Sequence, residues 1–203
     1  IVRLVGSEMC IRDRFFFMDK RKIVAKKRFE NVHKELLGVG EKLLNTKNLT
    51  EITLNSITDY TEISKTTIYE HFTSFDSFLA GVVQHVDEKM ASEFRSKKGD
   101  DPKQNIKIIF NDYREFVYKN PNLGKNIYAS LLVLSGSDKL PKINFYEYLE
   151  KELDMLGLDN KEKNIFLKKF NFSIDDFRND LENGNTANID LLINDLTFYL
   201  EKY

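Results

Sequence analysis

The sequence predicts an all-α protein, and three observations carry that expectation. Turn formers are scarce: nine glycines and three prolines in 203 residues, about half the usual share, where strands joined by tight turns would need more. Apolar residues recur at i, i+3, i+4 and i+7 in one segment after another. No stretch alternates apolar and polar residues long enough to make a strand, and no internal repeat is present. The hydrophobic fraction of 41% is enough for a real core in one large domain or two small ones.

The first helix is expected over about residues 21–46, where Phe29, Val32, His33, Leu36, Leu37, Gly40, Leu43 and Leu44 share one face. Thr53 is placed to cap a short helix over about 54–60 that holds Leu54 and Ile57 inward. Ser64 does the same for a helix over 65–71, with Ile68 and Phe72 facing the core. A fourth helix starts near Ser74 or Asp76 and runs to about Ser96, its stripe formed by Phe78, Leu79, Val82, Val83, Val86, Met90 and Phe94. The clearest break is Lys97-Lys98-Gly99-Asp100-Asp101-Pro102, with glycine to end one helix and proline to begin the next.

Beyond the break, Ile106, Ile109, Phe110, Tyr113, Phe116 and Val117 form a stripe that stops at Asn120-Pro121. Ile127 to Leu134 is apolar on nearly every side, as suits a helix in the middle of a bundle. A polar link from Ser135 to Asp138 leads to helices over about 142–156, 160–170 and 173–182. The last helix, over about 187–201, has the most regular stripe: Ile189, Leu192, Ile193, Leu196, Tyr199 and Leu200.

The leader stands apart. Residues 6–14, GSEMCIRDR, resemble the translated read-through of a sequencing adaptor; on that reading Met18 is the natural start. A genuine disordered tail is the other reading, and either way residues 1–17 are set aside from the fold. Phe15-Phe16-Phe17-Met18 is too short for the apolar core of a signal peptide. Cys10 is the single cysteine, so there is no internal disulfide and no thiolate metal site. No apolar run approaches the roughly 20 residues that span a membrane.

Total charge names no partner, with 31 basic against 32 acidic side chains, but its distribution is uneven. Lys20, Arg21, Lys22, Lys26, Lys27, Arg28 and Lys34 face one acid, Glu30, whereas from Tyr146 onward 13 acids meet seven bases. A basic front and an acidic back suit a nucleic-acid-binding head on a separate body; a solvated helix start explains the lysines equally well.

Two short helices separated by three or four residues have helix-turn-helix spacing. In that motif the second helix lays its leading end in the major groove, so its first turn should be short, polar or basic, and its far side apolar. Ser64-Lys65-Thr66-Thr67-Ile68-Tyr69-Glu70-His71-Phe72 meets that demand. Residues 26–83 resemble the DNA-binding domain of TetR-type transcriptional regulators, whose pattern carries a Ser-Lys-x-Thr-hydrophobic-Tyr-x-His-Phe stretch before a Leu-rich fourth helix. The resemblance implies a helix-turn-helix domain over residues 18–74, a connecting helix and break over 75–100, and an effector-binding and dimerisation body over 101–203.

It also implies roles. Thr53 would donate to a phosphate from its hydroxyl and backbone, and Ser64 would cap the reading helix. Lys65, Thr66 and Thr67 would reach base edges or adjacent phosphates. Tyr69 and His71 would set the helix on the DNA backbone through a phenol hydroxyl and a ring N–H. The expected partners are double-stranded DNA and a second copy of the chain, with the dimer seam near Ile189, Leu192, Ile193 and Leu196. The expected location is the cytoplasm. No cofactor is implied beyond an unknown small-molecule effector, for which Tyr113, Phe116, Tyr128, Phe145, Tyr146 and Tyr148 are candidate pocket residues or simply core.

Two positions depart from the family pattern. Thr61-Glu62 stands where Ala-Gly is usual in the turn; a left-handed Glu62 would cost on the order of 1 kcal/mol. Phe75 replaces a common lysine, which removes one phosphate contact. Other classes remain open: a helical interaction module without DNA binding, or an enzyme on a helical bundle. The enzyme reading has little to draw on, since His33, His71 and His85 are scattered, and Gly38-Val39-Gly40-Glu41-Lys42 lies inside a helix without phosphate-loop spacing. Specific duplex capture favours the regulator, and substrate turnover the enzyme.

Overall fold

The computed structural model describes the backbone of residues 6–170 and 188–202, and side chains from Lys20 onward within those ranges except Asn188, Ile189 and Leu192. All the regular structure described is helical. In chain order the helices are α1 (Gly6–Thr46), α2 (Leu54–Thr61), α3 (Lys65–His71), α4 (Phe75–Lys97), α5 (Pro102–Lys119), α6 (Pro121–Leu134), α7 (Asn144–Met155), α8 (160–170) and α9 (Asn188–Leu200). A 3-10 turn, Leu49–Glu51, follows α1. Within the described residues no helix is long and apolar enough to cross a membrane. The helix expected over 173–182 lies outside the described residues.

The caps act where the sequence places them. Thr53 Oγ1 accepts from Ser56 N, and Ser56 Oγ accepts from Thr53 N, a reciprocal box that satisfies two donors at the start of α2. Ser64 Oγ accepts from Thr67 N at 3.2 Å to start α3. Ser74 and Ser77 form a second reciprocal box at α4. Asp101 accepts from Lys103 N at 2.9 Å, with Pro102 in the first turn of α5.

Helices α1 to α3 form a head, and α4 leads from it into a bundle of the later helices. The head core gathers Leu36, Leu43 and Leu44 of α1, Ile57, Ile68, Phe72, and Phe78, Leu79 and Val82 of α4. The bundle core gathers Phe94, Ile106, Phe110, Leu149, Leu153, Phe166 and Phe170 with Ile193, Leu196 and Leu200. Leu123 and Leu134 of α6 belong to the head core rather than the bundle core, and Phe116 packs against both. Packing therefore crosses the expected boundary near residue 100.

Four buried polar side chains tie helix ends together. The Asn126 amide accepts from Leu49 N at 3.1 Å and donates to the carbonyls of Leu44 and Lys47, so α6 closes the C-terminal end of α1. Glu152, fully buried, accepts from Lys98 Nζ at 3.0 Å and Asn105 Nδ2 at 2.9 Å. Asn105 in turn bonds both backbone groups of Gly99, which holds the α4–α5 break against α7. Asp87 accepts from the N–H groups of Asn144 and Phe145 in the first turn of α7, where a helix end favours negative charge.

Three expectations need correction. α1 begins at Gly6 and not near residue 21, so the helical backbone continues through residues set aside as leader. α6 is not buried on every side: Leu132 and Val133 are 50% and 58% exposed, because the helix runs along the outside of α1 and α4. The dimer seam cannot include Ile193 and Leu196, since both are buried in the chain's own bundle core. The side chains of Ile189 and Leu192 lie outside the described residues.

Candidate nucleic-acid interface

Helix α3 is short and held from both ends. Ser64 fixes its start, and Ile68 and Phe72 sink into the head core behind it. The opposite, leading face is open: Ser64, Lys65 and Thr66 are exposed and Tyr69 is 51% exposed. Lys65 makes no ion pair with any described residue. A basic, polar first turn with an anchored apolar back is what groove insertion requires.

The turn before α3 has the strained residue. Glu62 closes α2 at φ 59°, ψ 2°, the sole non-glycine residue at positive φ among those described. The left-handed conformation is therefore real at this position, and its Cβ crowding follows. Glu62→Gly is expected to raise stability by up to about 1 kcal/mol, or roughly 2–4 °C in melting temperature for a chain of this length. A melting temperature at or below the parent's in scanning calorimetry would refute the strain.

The remaining site residues are more committed than the sequence suggests. Thr53 is exposed, but its backbone N–H already donates to Ser56 Oγ at 2.8 Å, which leaves only its hydroxyl proton for an incoming phosphate. Thr67 is half-buried, and its hydroxyl lies 3.0 Å from Ser64 Oγ within the cap. Of the three residues expected to reach the DNA from the first turn, Lys65 and Thr66 stand clear.

His71 sits in an aromatic stack between α1 and α3. Its ring lies 3.9 Å from that of Phe29, centroid to centroid, and 5.6 Å from that of His33, which stacks on Phe72 at 4.7 Å. Its Nδ1 is buried without a hydrogen-bond partner, so any donation to a phosphate must come from Nε2. Desolvation, then the neighbouring His33, hold the His71 pKa below its ordinary value, against a smaller opposing pull from Glu70. His85 is lowered too, by desolvation and Lys89, with Glu41 opposing. The unfolded chain thus takes up these protons first. The stability that neutral histidine contributes is complete above about pH 6.5 and declines as pH falls toward the lower folded values. Melting temperature should fall between pH 7.5 and 5.5, and His71→Gln should flatten that slope; parallel slopes would exclude His71 as a source.

Phe75 explains itself by packing. It is half-buried against the head core, its ring 6.1 Å from Phe78, beside Ile52, Thr53 and Leu54. An apolar contact has taken the place of a charge at the start of α4. The basic arm of α1 flanks the interface: Lys20, Arg21 and Arg28 line an open groove with Thr67 and His71 across from them.

No protein-family model matches the sequence. No curated protein matches it either. Among solved structures, the crystal structure of a TetR transcriptional regulator from Rhodococcus sp. RHA1 superposes on it with a TM-score of 0.64, at 14% sequence identity, covering 87% of this chain and 96% of that one. The fold is the TetR fold. In TetR-fold terms, α1 to α3 are the head, α4 is the connecting helix and the later helices are the body.

Sequence reasoning missed the buried polar residues. Asp87, Asn105, Asn126 and Glu152 lie on or beside apolar stripes and read as ordinary surface positions, since their partners come from distant segments. The candidate pocket aromatics divide. Tyr113, Phe116, Tyr128, Phe145 and Tyr146 line a cavity of about 110 Å³ between α4, α5, α6 and α7. Tyr148 lies apart, its hydroxyl accepting from Arg95 at 2.8 Å.

Proposed function

We propose that this protein is a DNA-binding transcriptional regulator, acting in the cytoplasm as a homodimeric repressor that a small ligand releases from a near-palindromic operator. The observation that carries this reading is the exposed leading face of α3, with Lys65 and Thr66 open behind the Ser64 cap and Ile68 and Phe72 anchored in the core. Lys65, Thr66 and Tyr69 are the principal DNA contacts, supported by Thr53, Thr67 and His71, while Ser64 orients them. Phosphate contacts position such a head and base-edge contacts give it sequence preference. The arm around Arg28 adds salt-sensitive attraction.

A dimer places two reading helices on one face of the duplex, about one helical turn apart. The seam is reassigned to the outer face of α9, where Leu191 and Phe198 are 63% and 72% exposed one heptad apart. Leu191→Glu with Phe198→Glu should yield folded monomers in sedimentation; an intact dimer would refute this seam. The cavity between α4 and α7 is the ligand site, and it touches α4, the helix that carries the head.

Selection of bound duplexes from a random library, at roughly physiological salt, tests the reading. Enrichment of a palindrome supports a dimeric, sequence-specific regulator. A folded protein that enriches nothing would overturn it in favour of an interaction module.

A further inference from the structure

We propose that the cavity between α4 and α7 takes a small organic ammonium ion, held by the Asp87 carboxylate inside a box of aromatic rings. The inference rests on the ligand site assigned above and adds the chemistry of its occupant.

The wall is apolar except for one charged side chain and a set of phenols. Asp87 lines the cavity and is itself 7% exposed. Its oxygens accept three hydrogen bonds, from Asn144 N at 2.7 Å, Asn144 Nδ2 at 2.8 Å and Phe145 N at 3.2 Å. Every one of these donors is neutral, and no lysine, arginine or histidine of the described residues pairs with this carboxylate or lines the cavity. A buried carboxylate normally has a cationic partner, because hydrogen bonds from neutral groups only partly replace its lost hydration. The end of α7 supplies a partial positive charge and leaves the rest uncompensated.

Around Asp87 the cavity presents Tyr113, Phe116, Tyr128, Phe145 and Tyr146. Aromatic faces carry negative electrostatic potential, and several of them around one site form the usual receptor for quaternary ammonium groups. The same wall rejects anions. A carboxylate ligand would meet Asp87 and the ring faces with no base to neutralise it. Size sets a further limit. A volume of about 110 Å³ is below the roughly 150 Å³ of an engineered cavity that holds benzene, so what the cavity encloses is an ammonium head group of a few heavy atoms, such as trimethylammonium, and a chain attached to that head lies outside it.

Three molecules of nearly one shape and three charges test this: choline, its uncharged carbon isostere 3,3-dimethylbutan-1-ol, and the anion 3,3-dimethylbutanoate. Binding to the full chain is followed by calorimetry without DNA. Choline should bind at least tenfold more tightly than the alcohol, and the anion should not bind. Asp87→Asn should remove the preference for choline over the alcohol. Because that change also alters the cap of α7, its melting curve is recorded, and Phe116→Leu serves as a second variant that loses one ring and keeps the carboxylate; its choline affinity should fall severalfold. Equal binding of choline and alcohol, or no binding of either, overturns the proposal. Choline binding by a protein that selects no duplex would uphold this site and overturn the regulator; duplex selection without choline binding would do the reverse.

Discussion

Gly40→Ala is expected to lower the melting temperature by roughly 2–12 °C, the equivalent of about 1–3 kcal/mol of overpacking. A Cβ at Gly40 would overlap a methyl of Val82 and come within 2.8 Å of Phe78 Cζ. Neither neighbour can yield cheaply: Val82 is fully buried, and Phe78 is 1% exposed inside the head core. Accommodation therefore requires α1 and α4 to separate, and close-packed interiors resist such a shift. On the function proposed above the effect extends to DNA, since α4 connects the head to the bundle. Operator affinity, once an operator is in hand, should fall even at temperatures where the variant is folded. Gly38→Ala on the same helix is the control, because nothing lies within 4 Å of a Cβ there. Equal melting temperatures for the two alanine variants would refute the close approach.

Lys65→Ala is expected to weaken operator binding by about tenfold or more while leaving the melting temperature unchanged. Lys65 is exposed and ion-pairs with no described residue, so its removal costs the folded head little. A base contact from this lysine would contribute about 1–3 kcal/mol to discrimination, and its loss would relax the sequence preference at one position of each half-site. A phosphate contact would instead weaken all sequences alike and reduce the slope of log affinity against log salt by nearly one per head. Binding isotherms at several salt concentrations, on operator and scrambled duplex, separate the two. Unchanged affinity on both would remove Lys65 from the interface.

Much of this architecture was legible because the signals were local. Thr53, Ser64 and Ser74 announce helix starts through hydrogen bonds that span three residues, and the structure forms each of them. Glu62 was readable as a candidate left-handed position because the family pattern that the segment resembles has glycine there, and the structure places it at φ 59°. Signals that depend on partners far away in the chain were not legible. Asn126 reaches back to Leu44 and Lys47, and Glu152 to Lys98 and Asn105, and nothing in their sequence neighbourhoods marks them as buried.

The last helix shows the other limit. Its apolar stripe was read as a surface for a second copy, yet Ile193 and Leu196 cover the chain's own bundle. Periodicity identifies a face that must be buried and is silent on which molecule buries it. The exposed residues Leu191 and Phe198 fall off the regular stripe and carried no periodic signal.

Leu123 and Leu134, seated among the head's own side chains, bear on how this chain can be divided. A fragment cut after Asp100 would lose two leucines from its interior and the amide of Asn126 from the end of its first helix. The head is thus no detachable cassette: it borrows part of its interior from the bundle, and the two share one fate on heating, proteolysis or truncation.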